Sequence, residues 1–238
     1  MVSPRDRQAV ATPRAHRVAR RWPWVSGIAL IVLALALGAL ITARDHGMAL
    51  SIDTRWMDEL MENRAPVWQF LSLVMNNLGG GVIATFIVPI ALIGILLLLK
   101  RPWATVFFFL ATVLTGGAVQ LLKHLFGRVR PESLMVSVDF GSFPSGHVAN
   151  AAAMALILSI LFPKWWVWLA AAVYTVTMMF SRTYLGAHWL SDTIGGLLLG
   201  IGLTLLIWAP LASRIDGERQ LRRRRHDSPP ASSKDVAV

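Results

Sequence analysis

Twenty consecutive residues, Trp24 to Ala43, carry no charge. At about 1.5 Å of rise per residue such a run spans a hydrocarbon core of about 30 Å as a helix. Two further runs, Val82 to Leu99 and Trp103 to Leu122, have the same character, and three shorter ones follow: Val148 to Phe162, Trp165 to Phe180 and Ile194 to Leu211. A chain so patterned has few options, because in lipid every backbone polar group must be satisfied within its own segment. The expectation is an all-α integral membrane bundle of six transmembrane helices. Composition agrees: 55% of the 238 residues are hydrophobic and only 15% charged, against about a quarter charged in soluble domains.

The net charge of +10 invites a nucleic-acid reading, but its placement argues for topology. Arg5, Arg7, Arg14, Arg17, Arg20 and Arg21 precede the first run, and Arg214, Arg219, Arg222 to Arg225 and Lys234 follow the last. With Lys100, Arg101 and Lys164 in two short loops, 16 of the 23 lysines and arginines fall on one side of a six-span layout. Positive residues favour the cytoplasm, so both termini are expected there, able to touch anionic lipid, with no nucleic-acid partner. The organisation expected is a basic cytoplasmic tail over 1–21, a six-span membrane domain over 22–212, and a basic, disordered cytoplasmic tail over 213–238. The first apolar run is too long for a signal peptide and reads as an uncleaved anchor. With no cysteine in the chain, disulfides and thiolate metal sites are excluded.

Val67, Phe70, Leu71, Val74, Met75 and Leu78 repeat at helical spacing, which predicts an amphipathic helix on the outer membrane surface. Gly79-Gly80-Gly81 interrupts the chain after it, and Pro89 predicts a kink in the second span without a break. Trp165, Trp166 and Trp168 suit an interfacial aromatic belt. Gly196 and Gly200 form a Gly-x-x-x-Gly step suited to close helix packing.

Three polar clusters gather at the outer ends of spans three to six: Lys123 with Arg130-Pro131, then Pro144-Ser145-Gly146-His147, then Ser181-Arg182 with His188 and Asp192. Lys123, Arg128, Arg130 and Arg182 sit there against the positive-inside trend, which suggests an anionic ligand. A phosphoryl-transfer transition state spreads negative charge over three equatorial oxygens; Lys123, Arg130 and Arg182 suit its neutralisation. Pro144 and Gly146 set a helix start near Ser145 to His147, whose free N–H groups favour an anion. His188 and Asp192 are four apart and share a face if the last helix begins early enough. A carboxylate on one ring nitrogen leaves the other free to attack. That assigns His188 as nucleophile, Asp192 as its orienter and His147 as proton donor to the leaving group. His124, Glu132 and Asp139, in the same loop, are expected to have surface roles. No carboxylate cluster resembles a magnesium site.

The pattern Lys123-x6-Arg130-Pro131, Pro144-Ser145-Gly146-His147, Ser181-Arg182-x5-His188-x3-Asp192 resembles the three-part signature of the type 2 phosphatidic acid phosphatases. All eleven specified positions are matched. The resemblance implies a multi-pass enzyme of the cell membrane that removes phosphate from a lipid phosphomonoester or pyrophosphate, of the phosphatidic acid, phosphatidylglycerophosphate or undecaprenyl pyrophosphate type. It also implies a phosphohistidine on His188, no metal or other cofactor, and an active site facing out of the cytoplasm. Phosphate binding falls to Lys123, Arg130, Ser145, Gly146 and Arg182. A lipid phosphotransferase using the same site, and a non-enzymatic lipid-binding or transport protein, are the alternatives. Vanadium haloperoxidases share the superfamily, but six spans and the lack of a large soluble domain argue against that activity. Neither the particular lipid nor the oligomeric state is legible.

Overall fold

The computed structural model describes residues 13–45 and 49–227, and these are entirely helical apart from their connections. The helices are α1 (Pro13–Asp45), α2 (Ser51–Glu62), α3 (Pro66–Gly79), α4 (Val88–Leu98), α5 (Pro102–Phe126), α6 (Gly146–Leu161), α7 (Trp165–Tyr184) and α8 (Leu190–Asp227). Among the described residues, three stretches are long and apolar enough to cross a bilayer: Arg21–Arg44, Pro102–Phe126 and Leu190–Leu221. The helices Pro66–Gly79 and Ile83–Leu98 qualify together, bent by 43° at the glycines between them.

α6 is the inner helix of the bundle. It has only 16 residues, ten of them buried, with alanines at 149, 151, 152, 153 and 155. Small side chains let neighbours approach closely, so α6 is enclosed by α5, α7 and α8. Gly196 and Gly200 of α8 set the closest approach: a Cβ on Gly200 would fall 2.3 Å from the Ala149 carbonyl oxygen, and one on Gly196 2.5 Å from that of Ser145. The Gly-x-x-x-Gly step therefore packs helix on helix. The outer helices instead expose large apolar side chains, among them Val25, Ile28 and Val32 on α1, Leu121 and Leu125 on α5, and Leu169, Val173 and Val176 on α7. Exposed apolar surface on this scale suits contact with lipid. Trp165, Trp166 and Trp168 are exposed at the start of α7.

Three expectations about local structure change. The expected Pro89 kink takes the form of a π-helical turn over Ile83–Ile87, immediately before α4. The Val88 N–H reaches back to the Ile83 carbonyl, one residue further than in an α-helix, which accommodates the donor that Pro89 lacks. Residues 213–227, expected to be disordered, continue α8; residues 228–238 and 1–12 lie outside the described residues. Polar contacts support the extension. Glu218 accepts from the Trp103 and Ala104 N–H groups at 2.6 and 3.3 Å, capping α5, while Arg219 donates to the Ile160 carbonyl at 2.7 Å. The Arg214 guanidinium also lies 4.0 Å over the Trp103 ring. Finally, the predicted amphipathic segment is helical as α3, but it packs on α7 and buries Ser72, Met75 and Gly79.

Candidate active site

The site forms where the last turns of α5 and α7 meet the first turns of α6 and α8. Lys123 lies in the last turn of α5 and Arg182 in that of α7. Gly127, with φ of +53°, ends α5 in the left-handed conformation that glycine adopts readily, and its N–H returns to the Lys123 carbonyl. The chain then carries Arg128, Arg130 and Asp139 through an irregular segment to Ser145, the N-cap of α6. Gly146 and His147 open that helix. The Gly146 Cβ position faces Val119 of α5 at 3.3 Å, so its small size serves the α5–α6 approach.

His188 occupies the turn between α7 and α8, two residues ahead of the helix that begins at Leu190. It therefore does not share a helical face with Asp192, as the four-residue spacing suggested. The turn brings the two together instead, with His188 Nδ1 3.6 Å from Asp192 Oδ2. That is longer than a hydrogen bond. Asp192 is fully buried and accepts hydrogen bonds from the Trp189 N–H at 2.9 Å, from Ser142 Oγ, and from Arg128 at 2.6 Å. The opposite ring nitrogen, His188 Nε2, lies 3.3 Å from Arg130 NH1.

The cations converge on the same place. Asp139 Oδ1 receives Lys123 Nζ at 2.6 Å and Arg130 NH2 at 2.7 Å. Arg130 is aimed by carbonyls as well, donating to Ala187, to Asp139 at 3.0 Å and to Gly141 at 2.7 Å. Asp139, expected at the surface in a passive role, is half exposed but bridges two of the proposed phosphate-binding residues. Burial raises its pKa, but the hydrogen bond and charge of Lys123 and the charge of Arg130 outweigh this and leave it below the ordinary carboxylate value. Burial pushes the Arg130 guanidinium below its ordinary value, against the opposing charges of Asp139 and Asp192. His188 is lowered to about 4, first by burial and then by Arg182 and Arg130, with Asp192 acting the other way. It is therefore a neutral imidazole at pH 7.

His147 sits on the other flank. Its ring donates to the Asn76 backbone, and a Cβ on Gly80 would fall 2.2 Å from its Nε2. The end of α3 thus forms a side-chain-free notch that receives the ring. Asn76 Oδ1 also accepts from Arg182 NH1, so one residue of α3 holds both a candidate proton donor and a candidate phosphate ligand. Ser145 Oγ and Arg182 Nε are buried with no hydrogen-bond partner among the described residues. Buried donors of this kind are costly unless an acceptor joins them, and a tetrahedral oxyanion supplies several.

Below His147, an apolar cavity of about 670 Å³ runs between α3, α4, α6 and α7. Leu78, Leu92, Met154, Leu158 and Trp166 line it, and Asn150, one turn from His147, with Tyr174 supplies polar groups.

Residues that the motif reading missed are Asn76, and Asp53 and Ser191 beside Arg128. Asn76 lies off the apolar stripe of α3, where a polar residue of an amphipathic helix carries no functional signal. Asp53 left no local signal, since its partners lie 75 and 138 residues away.

Residues 104–215 match the family model of the PAP2 superfamily. The chain is 34% identical over 115 residues to a lipid A 1-phosphatase of Rhizobium johnstonii, covering 44% of this chain and 46% of that protein. It is 35% identical over 98 residues to phosphatidylglycerophosphatase B of Bacillus subtilis, covering 37% and 48%. These matches span about half the length of each curated relative. The fold superposes on the crystal structure of a transmembrane PAP2-type phosphatidylglycerolphosphate phosphatase from Bacillus subtilis. The TM-score is 0.65, with 28% identity, over 76% of this chain and 94% of that one.

Proposed function

We propose that this chain, whose residues 104–215 match the PAP2 superfamily model, is a membrane phosphatase that hydrolyses a phosphomonoester or pyrophosphate carried by a lipid. One observation carries the reading. Lys123 and Arg130 grip an anion, the Asp139 carboxylate, while the same Arg130 reaches the Nε2 atom of a neutral His188. Substrate phosphate taking that seat lies beside the nucleophile. Lys123, Arg130, Arg182, the Ser145 hydroxyl and the N–H groups of Gly146 and the opening of α6 then share its charge.

The steps balance as follows. The His188 Nε2 lone pair attacks phosphorus, and the phosphorus–oxygen bond to the lipid breaks as His147 donates a proton to the departing oxygen. As the ring turns cationic, Asp192 draws in to accept from the Nδ1–H, which keeps Nε2 as the attacking nitrogen. Water next attacks the phosphohistidine and gives its proton to His147, and the phosphorus–nitrogen bond breaks, releasing phosphate and neutral His188. The cavity between α3, α4, α6 and α7 takes the hydrocarbon chain, leaving the headgroup at His147. Six spans, with α3 and α4 bordering the lipid entry, put both termini in the cytoplasm and the site on the other side.

Purified protein assayed for phosphate release across a panel of lipid phosphates tests this, with and without chelator. Release without any acceptor lipid, unaffected by chelation and abolished in His188→Ala, is expected. Turnover only with an acceptor hydroxyl would make the chain a phosphotransferase, and His188→Ala with full function would return it to a binding or transport role.

A further inference from the structure

Behind His188 lies a polar cluster that the motif does not contain. Arg128 and Asp53 are fully buried and joined at 2.7 Å; Arg128 is joined at 2.6 Å to Asp192, also fully buried. Arg128 NH1 donates to Ser191 Oγ at 2.7 Å, and Ser191 Oγ donates to Asp53 Oδ2 at 2.7 Å. Asp53 also accepts the Ser191 N–H at 2.8 Å and the Leu50 N–H at 3.1 Å. It therefore caps α2 and the first turn of α8 together, where the positive ends of both helix dipoles favour a carboxylate.

We propose that Asp53 and Arg128 are a positioning couple that aims Asp192 at His188 Nδ1, an inference that rests on the phosphatase reading above. Two features support it. Arg128 spans two carboxylates, which fixes its plane, and that plane in turn fixes Oδ1 of Asp192 and leaves Oδ2 facing the ring. Charge is the second. An arginine paired with Asp192 alone would neutralise the charge that His188 needs as its ring becomes cationic. Asp53 supplies the second negative charge, so the trio keeps one net negative charge toward the imidazole. Lysine does not replace Arg128, since a single ammonium lacks the planar fork that reaches both carboxylates. Asp53 comes from α2, in the segment between the first two apolar runs, so that segment contributes to the centre without touching substrate.

The test uses full-length protein in detergent, with Asp53→Asn and Arg128→Lys, each read by lipid phosphate release and by product inhibition with inorganic phosphate. Partners that orient a reacting group commonly govern about 10- to 100-fold in activity. Here kcat is expected to fall by about that factor, while KM and the inhibition constant for inorganic phosphate stay within about twofold. A role in folding alone would loosen the segment that carries Arg130 with Arg128, so inorganic phosphate binding and kcat would weaken together; that outcome overturns the proposal, as does an unchanged kcat. Should Asp53→Asn fail to fold, Ser191→Ala removes the hydroxyl between the couple without unpairing a charge, and the same split in kcat and KM decides. Wild-type protein that releases no phosphate overturns the phosphatase reading and the couple with it. An active wild type with unchanged kcat in the variants overturns the couple alone.

Discussion

At the scale of single residues, Asp139 is the side chain with the clearest consequence. Its carboxylate occupies the clasp formed by Lys123 and Arg130, so in the proposed reaction substrate phosphate must displace it. Asp139→Asn removes that competition, and the inhibition constant for inorganic phosphate is expected to fall about two- to fivefold, the range set by roughly 0.4–1 kcal/mol for a half-exposed pair. Weaker phosphate inhibition in this variant would show that Asp139 organises the cations instead. His188 supplies a second expectation. Because its pKa is lowered to about 4, the imidazole remains unprotonated well below 6.5, and the acid limb that His188 imposes on kcat/KM is expected near pH 4. The stability sign follows: an unfolded histidine takes up a proton near 6.5 and the folded one does not, so His188 makes stability fall as pH drops from 6.5 toward 4. A pH–rate profile with its limb at 6.5 would contradict both statements. The proposed nucleophile, its proposed orienter and the three cations could be named from the sequence because motif chemistry specifies their types and spacing. Asp139 and Asp53 were not, because their roles depend on which distant side chains the fold sets beside them.

At the scale of elements, α8 does the most to fix the geometry. Its first turn carries Asp192 and Ser191, and its glycines let α6 approach. Gly200→Ala would place a methyl 2.3 Å from the Ala149 carbonyl oxygen, and no rotamer relieves a Cβ clash against backbone. Overpacking of this kind costs about 1–3 kcal/mol, so a lowered thermal midpoint is expected, with kcat reduced as Ser145 moves with α6. Ala substitution at Gly94, whose Cβ position meets nothing within 4 Å, is the matched control and should leave the midpoint near that of wild type. Apolar runs announced α1, α5 and the interior of α8. They misplaced its ends: α8 begins at Leu190 and not at Ile194, because Asp192 caps the turn before it, and it runs past Leu211 because Glu218 and Arg219 find partners on α5 and α6. Composition alone made residues 213–227 look disordered; it carries no record of such partners.

For the whole molecule, the decisive number is how many times the chain crosses the bilayer. Six crossings follow if α3 remains outside or joins α4 as one bent span, and if α6 and α7 each cross despite their modest length. Both tails then share a compartment. Protease sites or labels appended to each terminus in sealed vesicles are expected to be protected or cleaved together; opposite behaviour would require an odd count. Hydropathy alone leaves α6 ambiguous for a physical reason: a helix wrapped by protein needs neither the length nor the bulk of one wetted by lipid.

The long final helix has one more effect. From Leu190, beside the turn that carries His188, to Glu218, which caps α5, it runs about 42 Å at 1.5 Å per residue. Its two ends are tied to different parts of the bundle, Glu218 to α5 and Asp192 to Arg128, and Pro210 between them, which lacks an N–H, is where the helix yields first.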